Sequence, residues 1–298
     1  MDKQNMLSQD TLQSFISDGT SQAVRDRYAS LPEIAATMDF GDLDHNVVVL
    51  DTETTGFSFN HDELTQIAAA RMEQGEIVEW FITFVNPGKP IPEDVAHLTD
   101  IHDSDVADAP LPADALAKLV EFIGDAKVVA HNAEFDRTFT TRHPSGYPLL
   151  DSLDLARIAL PRMKSHRLLD LVRAFGAPLS THRADADVEA TCAIFRILLA
   201  GVAAMPPALV CEIAHMATPD EWSTRMVFEQ FARKYEVEAN QDVSRETPSL
   251  RFSLRALRRD RLGKLERAAK LDADDIAADP QRSLAFPSDA DIVQAFSE

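Results

Sequence analysis

The sequence predicts an α/β protein in which helices flank a mixed sheet. Residues 65–72 and 76–85 are rich in apolar and β-branched residues, and the short connection at 73–75 predicts an antiparallel hairpin between them. Two shorter apolar runs, residues 46–50 and 126–130, are typical of strands that are buried on both faces. We therefore expect an antiparallel meander of the first three strands, extended by parallel strands.

Helical segments separate and follow these strands. Pro92 suits the first turn of the earliest segment, because its fixed φ favours a helix start. Gly176 and Pro178 mark the end of a later, leucine-rich segment. The predicted helices are residues 92–99, 113–123, 134–142, 166–175 and 184–200.

Two carboxylates lie close together just after the run at 46–50. Asp51 and Glu53 are two positions apart, so in an extended chain their side chains share one face, where they repel each other unless a cation lies between them. Mg²⁺ prefers oxygen ligands of this kind, and Gly56 allows the backbone to approach a ligand closely. The pair therefore predicts a metal site, with a solvated loop that carries two acids as the alternative.

A second polar segment follows the run at 126–130. His131 and Asn132 turn the chain, and Asp136 lies in the first or second turn of the next helix, beside a strand end where sites in open α/β sheets form. Taken singly, His131 is also explained as a structural histidine, Phe135 as a core residue and Asp136 as a solvated helix acid.

A third segment opens the helix predicted at 184–200. Asp187 lies one turn into this helix, and His182 lies five residues earlier, on the preceding loop. A histidine with a pKa near neutrality can accept a proton from water, which hydrolysis requires. A histidine on a surface loop is the alternative interpretation.

Together, over residues 46–200, the three segments resemble the DnaQ-like branch of the DEDD superfamily of 3′→5′ exonucleases in order, spacing and residue type. The resemblance implies a ribonuclease H-like fold for this part of the chain. The four family acids and the histidine that defines one branch of the family correspond to Asp51, Glu53, Asp136, Asp187 and His182.

The resemblance also implies a mechanism in which the four acids hold two divalent cations, Mg²⁺ or Mn²⁺, while His182 deprotonates the attacking water. The implied reaction is hydrolysis of phosphodiester bonds at single-stranded or frayed DNA 3′ ends, releasing nucleoside monophosphates in proofreading or repair. Seven residues are expected to surround the terminal nucleotide: Thr54, Thr55, Gly56, Phe57, His131, Asn132 and Phe135.

Two other functions are consistent with the same residues. One is an RNA 3′-end trimming exonuclease of the RNase T type, which would use the same mechanism on a different sugar. The other is a non-catalytic adaptor tethered to a sliding clamp, although the presence of all five family residues argues against it.

Composition limits the partners and the location of the protein. With 29 basic and 49 acidic residues the net charge is −20, which argues against tight binding to a duplex, because phosphates are repelled. Two cysteines are too few for a disulfide framework or a zinc site. The first residues lack an apolar signal region, and the longest apolar stretch, near 197–205, is too short to span a bilayer. We expect a cytoplasmic protein without membrane contact.

The chain is expected to have four parts. A helical extension at 1–45 precedes the exonuclease domain at 46–203, and a helical region at 204–278 precedes an acidic flexible tail at 279–298. Within the third part, residues 251–270 carry a net positive charge and leucines at helical spacing, which indicates either a solvated helix face or a contact with a nucleic-acid backbone.

The tail contains a short peptide, residues 281–286, that resembles the motif by which bacterial polymerase and repair proteins dock on the sliding clamp. Gln281 would form hydrogen bonds in the clamp pocket, while Leu284 and Phe286 would fill its apolar cleft. Only twelve residues follow Phe286, which leaves little room for a polymerase-binding segment, so association with a DNA polymerase stays open.

Overall fold

In a computed structural model the described residues are 12–140, 149–178, 183–216 and 222–243. The described part up to Ala232 forms one compact unit. A second unit begins at Arg233, and of this unit only the helical residues up to Val243 are described.

Five strands of the described chain form a single mixed sheet. They are β1 (Val47–Thr54), β2 (Leu64–Glu73), β3 (Glu76–Phe84), β4 (Lys127–Ala130) and β5 (Leu149–Asp151). The spatial order is β3-β2-β1-β4-β5, in which β1, β2 and β3 pair antiparallel and β4 and β5 are parallel to β1. The predicted ribonuclease H-like mixed sheet, with its antiparallel meander, is confirmed.

The first strand is longer than the apolar run at 46–50 indicates. β1 continues to Thr54 because its pairing with β2 continues, with Asp51 opposite Ala68 and Glu53 opposite Gln66. The two acids therefore lie within a strand of the sheet rather than after its end. The rigidity of a paired strand now fixes their positions.

A short 3-10 helix spans Gly41–Leu43, and the described α-helices that have defined bounds are labelled α1 to α10. They are α1 (Gln22–Thr37), α2 (Glu93–Thr99), α3 (Asp103–Val106), α4 (Pro112–Ile123), α5 (Ala133–Thr140), α6 (Ser152–Ala159), α7 (Leu168–Phe175), α8 (Ala184–Ala203), α9 (Pro207–Ala214) and α10 (Arg225–Val243). The five predicted helices correspond to α2, α4, α5, α7 and α8. Gly176 ends α7 in the left-handed conformation, with φ of 69°, as its position after the leucine-rich segment predicts.

Helices cover both faces of the sheet. On one face α4 and α5 close a buried apolar cluster that includes Leu50, Leu119 and Phe139. On the other face α8 contacts β1 and β2, and α1, α6 and α7 pack around it. Burial on both sides explains why β1 begins as an uninterrupted apolar run.

Helix α1 packs on α8, and one arginine contributes polar contacts between them. Arg196 of α8 donates from Nε to the carbonyl oxygen of Ala35 at 3.1 Å and from Nη2 to that of Met38 at 3.2 Å, and it pairs with the buried Asp44. Arg196 therefore joins α8 to α1 and to the segment after it, and loss of its pair with Asp44 would leave a buried charge uncompensated.

None of the described helices is by itself long and apolar enough to cross a bilayer. Among the described helices, α8 and α9 reach the length and apolar composition of a membrane span only when they are taken together, and a bend of 109° separates them.

Candidate active site

Three carboxylates meet where β1 contacts the start of α8. Asp51 and Glu53 point to the same face of β1, and Asp187 lies in the first turn of α8, which packs on that face. One carboxylate oxygen of each residue lies within 4.8 Å of the others. The structure thus gathers three acids that are distant in the sequence.

A buried glutamine aligns the start of α8 with the strand. Gln66 of β2 is 1% exposed and is the cross-strand neighbour of Glu53. Its Oε1 accepts a hydrogen bond from the backbone N–H of Ala184 at 3.3 Å, which satisfies one of the free N–H groups of the helix terminus. Because Asp187 lies one turn further on, this contact helps to set the position of Asp187 relative to Glu53.

Asp136 is close to this group but is held separately. It lies in α5, is 1% exposed, and accepts a hydrogen bond from the Thr52 hydroxyl at 2.8 Å. Thr52 lies between Asp51 and Glu53 in β1, so strand alternation directs it to the opposite face. Although Asp136 does not belong to the three-acid group, its charge contributes to raising the pKa of Asp51.

Burial and neighbouring carboxylates raise the pKa values of Asp51 and Glu53, and burial raises that of Asp136. Burial raises the pKa of Asp51 well above its usual value, and the charges of Asp136, Glu53 and Asp187 raise it further. Burial, together with the charges of Asp187 and Asp136, raises the pKa of Glu53 to about 8, opposed by the nearby Arg183. The pKa of Asp136 is raised to about 7 by burial, and the Thr52 hydrogen bond opposes the shift.

These features fit a site for divalent cations. The donor set of the three-acid group consists of carboxylate oxygens, which hard cations such as Mg²⁺ and Mn²⁺ prefer. A cation between the acids would oppose the burial and repulsion that raise the pKa values of Asp51 and Glu53, since opposite charge favours the ionised form. Asp51, Glu53 and Asp187 can therefore hold such an ion, with Asp136 beside them.

Arg183 supplies positive charge at the edge of the site. It is the N-cap residue of α8, and its guanidinium carbon lies 5.8 Å from the ring centroid of Phe84. The sequence interpretation did not single out Arg183, Thr52 or Gln66. Arg183 directly follows His182, Thr52 lies between the paired acids, and Gln66 lies near the start of a predicted strand. These positions were the only sequence signals for the three residues.

Of the seven residues predicted to receive the terminal nucleotide, Thr54 to Phe57 lie at the end of β1 and in the loop that follows, and the other three lie after β4 and in α5. Thr54 is buried and donates from its hydroxyl to the carbonyl oxygen of Gly56 at 2.6 Å. Phe57 is 86% exposed, and its ring centroid lies 6.0 Å from that of Phe135 in an edge-to-face arrangement. Phe135 is partly buried and packs against the apolar cluster, as the core alternative anticipates.

His131 is held by the protein at both ring nitrogens. Its Nε2 donates to the carbonyl oxygen of His166 at 3.0 Å, so Nδ1 accepts from the Ser152 hydroxyl at 2.9 Å. Burial lowers the pKa of His131 to about 4, so the ring is neutral at physiological pH. Asn132 has φ of 67°, and its N–H donates to Asp151 Oδ1 at 3.1 Å. Both residues therefore fix the turn after β4, and their contact with a nucleotide stays a prediction.

Four of the predicted site residues lie outside the described part of the chain. They are His182 and the tail residues Gln281, Leu284 and Phe286. Their roles stay predictions.

The fold and the acidic site define a family. The exonuclease family model RNase_T matches residues 48–195, a segment that contains all four acids and His182. The chain therefore carries a domain of this exonuclease family, a nucleic-acid hydrolase, and the predicted membership of the DnaQ-like exonucleases is confirmed.

Curated relatives extend the comparison. The chain is 38% identical over 152 residues to the PolC-type DNA polymerase III of Bacillus cereus, and 39% identical over 153 residues to that of Bacillus subtilis. In both cases the match covers 48% of this chain and 11% of the relative, so the chain spans only about a tenth of those proteins.

Solved structures with a similar fold include exonuclease X in complex with 5′-overhanging duplex DNA. That structure is 25% identical, with a TM-score of 0.44, over 51% of this chain and 90% of its own. Escherichia coli exonuclease I in complex with a dA16 oligonucleotide is 21% identical, with a TM-score of 0.45, over 56% of this chain and 42% of its own.

The raised pKa values predict how the stability of the metal-free protein depends on pH. A carboxyl whose pKa is raised on folding stabilises the folded state while it is protonated, and this stabilisation is lost as the pH rises through the folded-state pKa. For Glu53 and Asp136 these folded-state values are about 8 and about 7. The lowered pKa of His131 acts in the opposite direction, but only between about 4 and 6.5.

In EDTA, the melting temperature is therefore expected to fall between pH 6.5 and pH 8.5, and Mg²⁺ should restore it, because the cation replaces the protons. Differential scanning fluorimetry measures both effects. Glu53→Gln should show a smaller fall than the wild type. A melting temperature that stays constant in EDTA, or an equal fall in this variant, would contradict the assignment of the repulsion to these acids.

Proposed function

We propose that this protein is a divalent-metal-dependent 3′→5′ exodeoxyribonuclease that releases nucleoside monophosphates from single-stranded or frayed DNA ends. The observation that carries the proposal is the convergence of Asp51, Glu53 and Asp187 within an exonuclease-family domain. The names of the PolC-type relatives support DNA as the substrate and support a role in proofreading or repair.

The metal chemistry would be supplied by two divalent cations, Mg²⁺ or Mn²⁺, held by Asp51, Glu53, Asp187 and Asp136, which stabilise charge on the attacking and leaving oxygens. The Thr52 hydroxyl, which donates to Asp136, would hold that carboxylate in a fixed position beside the other three acids. The backbone from Thr54 to Gly56 would position the terminal nucleotide.

His182 would accept a proton from water as the water oxygen attacks the phosphorus of the terminal phosphodiester. The bond from phosphorus to the 3′-oxygen of the preceding nucleotide breaks, so the chain is left with a 3′-hydroxyl and the product is a nucleoside 5′-monophosphate. Phe57, on the exposed side of the loop, would pack against the terminal base.

The acidic composition favours a substrate that is engaged at its end only. With a net charge of −20, the protein repels a long phosphate backbone, so single-stranded or frayed ends suit it better than an extended duplex. We expect a strong dependence on divalent cations and a need for a partner to achieve processivity.

A comparison of matched DNA and RNA oligonucleotides of the same sequence, labelled at the 5′ end, tests the substrate and the direction. We expect a ladder of products shortened from the 3′ end, with a higher rate on DNA than on RNA. An equal or higher rate on RNA would favour an RNA-trimming exonuclease and overturn the choice of sugar. A mononucleotide released first from the 5′ end would overturn the direction.

Association with a sliding clamp through residues 281–286 belongs to the same proposal. The support is the sequence alone, since Gln281, Leu284 and Phe286 match the extended docking peptide in spacing and chemistry. Association with a DNA polymerase rests on the names of the PolC-type relatives.

A further inference from the structure

The loop between β1 and β2 carries two aromatic rings outside the core. It comprises residues 55–63, and Phe57 and Phe59 in this loop are 86% and 47% exposed. At its base, the N–H of Thr55 donates to the carbonyl oxygen of Glu63 at 2.8 Å, and the N–H of Glu63 donates to the Thr55 hydroxyl at 3.1 Å. Both rings are exposed, and polar contacts therefore contribute to fixing the loop.

Asp62 is the centre of those polar contacts. Its Oδ2 accepts the N–H of Ser58 at 2.9 Å, and its Oδ1 accepts the Thr55 hydroxyl at 3.0 Å. The N–H of Asp62 also donates to the carbonyl oxygen of Ser58 at 2.7 Å. The bond from the Ser58 N–H, the contact with Lys89 and the bond from Thr55 lower the pKa of Asp62, so the carboxylate is ionised at physiological pH. The Asp62 side chain thus joins the end of the loop to Thr55 and Ser58 near its start.

Lys89 connects this loop to a second one. Its Nζ lies 3.0 Å from Asp62 Oδ1 and also donates to the carbonyl oxygen of His61. Lys89 belongs to the segment after β3, which is itself fixed: Asn86 donates from Nδ2 to the carbonyl oxygen of Ala107 at 3.0 Å, and its Oδ1 accepts the N–H of Gly88 at 2.9 Å. The ammonium group therefore attaches the β1–β2 loop to an anchored part of the protein.

The Asp62 carboxylate also packs directly against the segment predicted to receive the nucleotide. A Cβ atom built on Gly56 would lie 2.5 Å from Asp62 Oδ2. Because several hydrogen bonds hold that carboxylate, it cannot move aside at low cost, and this explains a glycine at position 56. The position of Asp62 thus determines the path of the backbone from Thr54 to Phe57.

We propose that Asp62 and Lys89 are positioning residues, which form a latch that holds the β1–β2 loop in the conformation that binds the terminal nucleotide. The inference rests on the proposed function, since it assigns the loop to the substrate. Neither residue touches the reacting atoms. Without the latch, the competent loop conformation would be populated for only part of the time, and the apparent affinity for substrate would fall in proportion to that fraction.

The expected signature is a change in KM without a change in kcat. Asp62→Asn and Lys89→Met should raise KM for a single-stranded oligonucleotide about tenfold if the competent loop falls to roughly a tenth of the population. The value of kcat should change less than about twofold, because the substrate that does bind meets an intact acidic site. Lys89→Arg, which keeps the charge and the donors, should restore most of the affinity.

The matched controls are Asp108→Asn and Lys118→Met, which make the same chemical changes at exposed positions outside the loop. Melting temperatures should be similar for all variants, since Asp62 and Lys89 hold one surface loop, and the opening of such a loop is local rather than global. Hydrogen exchange on the free protein should be faster at residues 56–61 in the two latch variants than in the controls.

The failure of this proposal is distinguishable from failure of the proposed function. Unchanged KM in both latch variants, or unchanged hydrogen exchange at residues 56–61, would overturn the latch while leaving the nuclease assignment intact. A wild-type protein that does not cleave DNA in Mg²⁺ would overturn the proposed function, and the exchange measurement would still test whether the latch orders the loop. A fall in kcat with unchanged KM would assign Asp62 and Lys89 to the chemical step instead.

Discussion

Asp51→Asn is expected to lower the exonuclease rate by about 10³ or more. The carboxylate of Asp51 lies close to those of Glu53 and Asp187. A cation held by the three acids would stabilise transition-state charge by several kcal/mol, and about 4 kcal/mol corresponds to about 10³ in rate. Gel assays of a 5′-labelled oligonucleotide in Mg²⁺ measure this effect. Asp108→Asn, at an exposed position, is the matched control.

The same variant should be more stable than the wild type when no metal is present. The pKa of Asp51 is raised by burial and by three neighbouring carboxylates, so replacing it with a neutral amide removes repulsion from the folded state. We therefore expect a higher melting temperature in EDTA at pH 8 together with lost activity. Retained activity, or a lower melting temperature with lost activity, would contradict the proposed role of Asp51.

His182→Ala is expected to lower turnover by about 10²–10⁴, the usual contribution of a general base, with little change in substrate affinity. His182 directly precedes Arg183, the N-cap residue of the helix that carries Asp187. The acidic limb of the pH–rate profile should also disappear, because its titrating group is removed. Single-turnover rates and equilibrium binding of an oligonucleotide separate the two quantities.

His97→Ala is a matched control for this prediction, since His97 is an exposed histidine of α2. A loss of affinity as large as the loss of turnover would assign His182 to substrate binding rather than proton transfer. An unchanged acidic limb of the pH–rate profile would also contradict the general-base role.

Local patterns in the sequence were sufficient to predict much of this architecture. Two-residue spacing placed Asp51 and Glu53 on one face, and the helix predicted from residue 184 begins at Ala184, so Asp187 lies in its first turn. Apolar runs predicted β1 and β4 because strands that are buried on both faces are rich in consecutive apolar residues. These features depend on nearby residues, which is why the sequence alone revealed them.

Contacts between distant residues were not predictable in the same way. Thr52 and Asp136 are separated by 84 positions, and Gln66 and Ala184 by 118, so each pair depends on the register of the sheet and on how a helix packs against it. The extension of β1 to Thr54 depends likewise on its pairing with β2. The sequence also left open whether His131 is structural, and only the positions of Ser152 and His166 show how its ring is held.

Calorimetric titration of Mn²⁺ into the metal-free protein at pH 7.5 tests the central claim most directly, because it measures whether the gathered carboxylates bind a divalent cation. The wild type should show saturable binding, and Asp51→Asn should bind at least about tenfold more weakly, since even the loss of an indirect partner of a metal ligand costs about 10-fold to 100-fold. Equal affinity in the two proteins, or no binding by the wild type, would contradict the account.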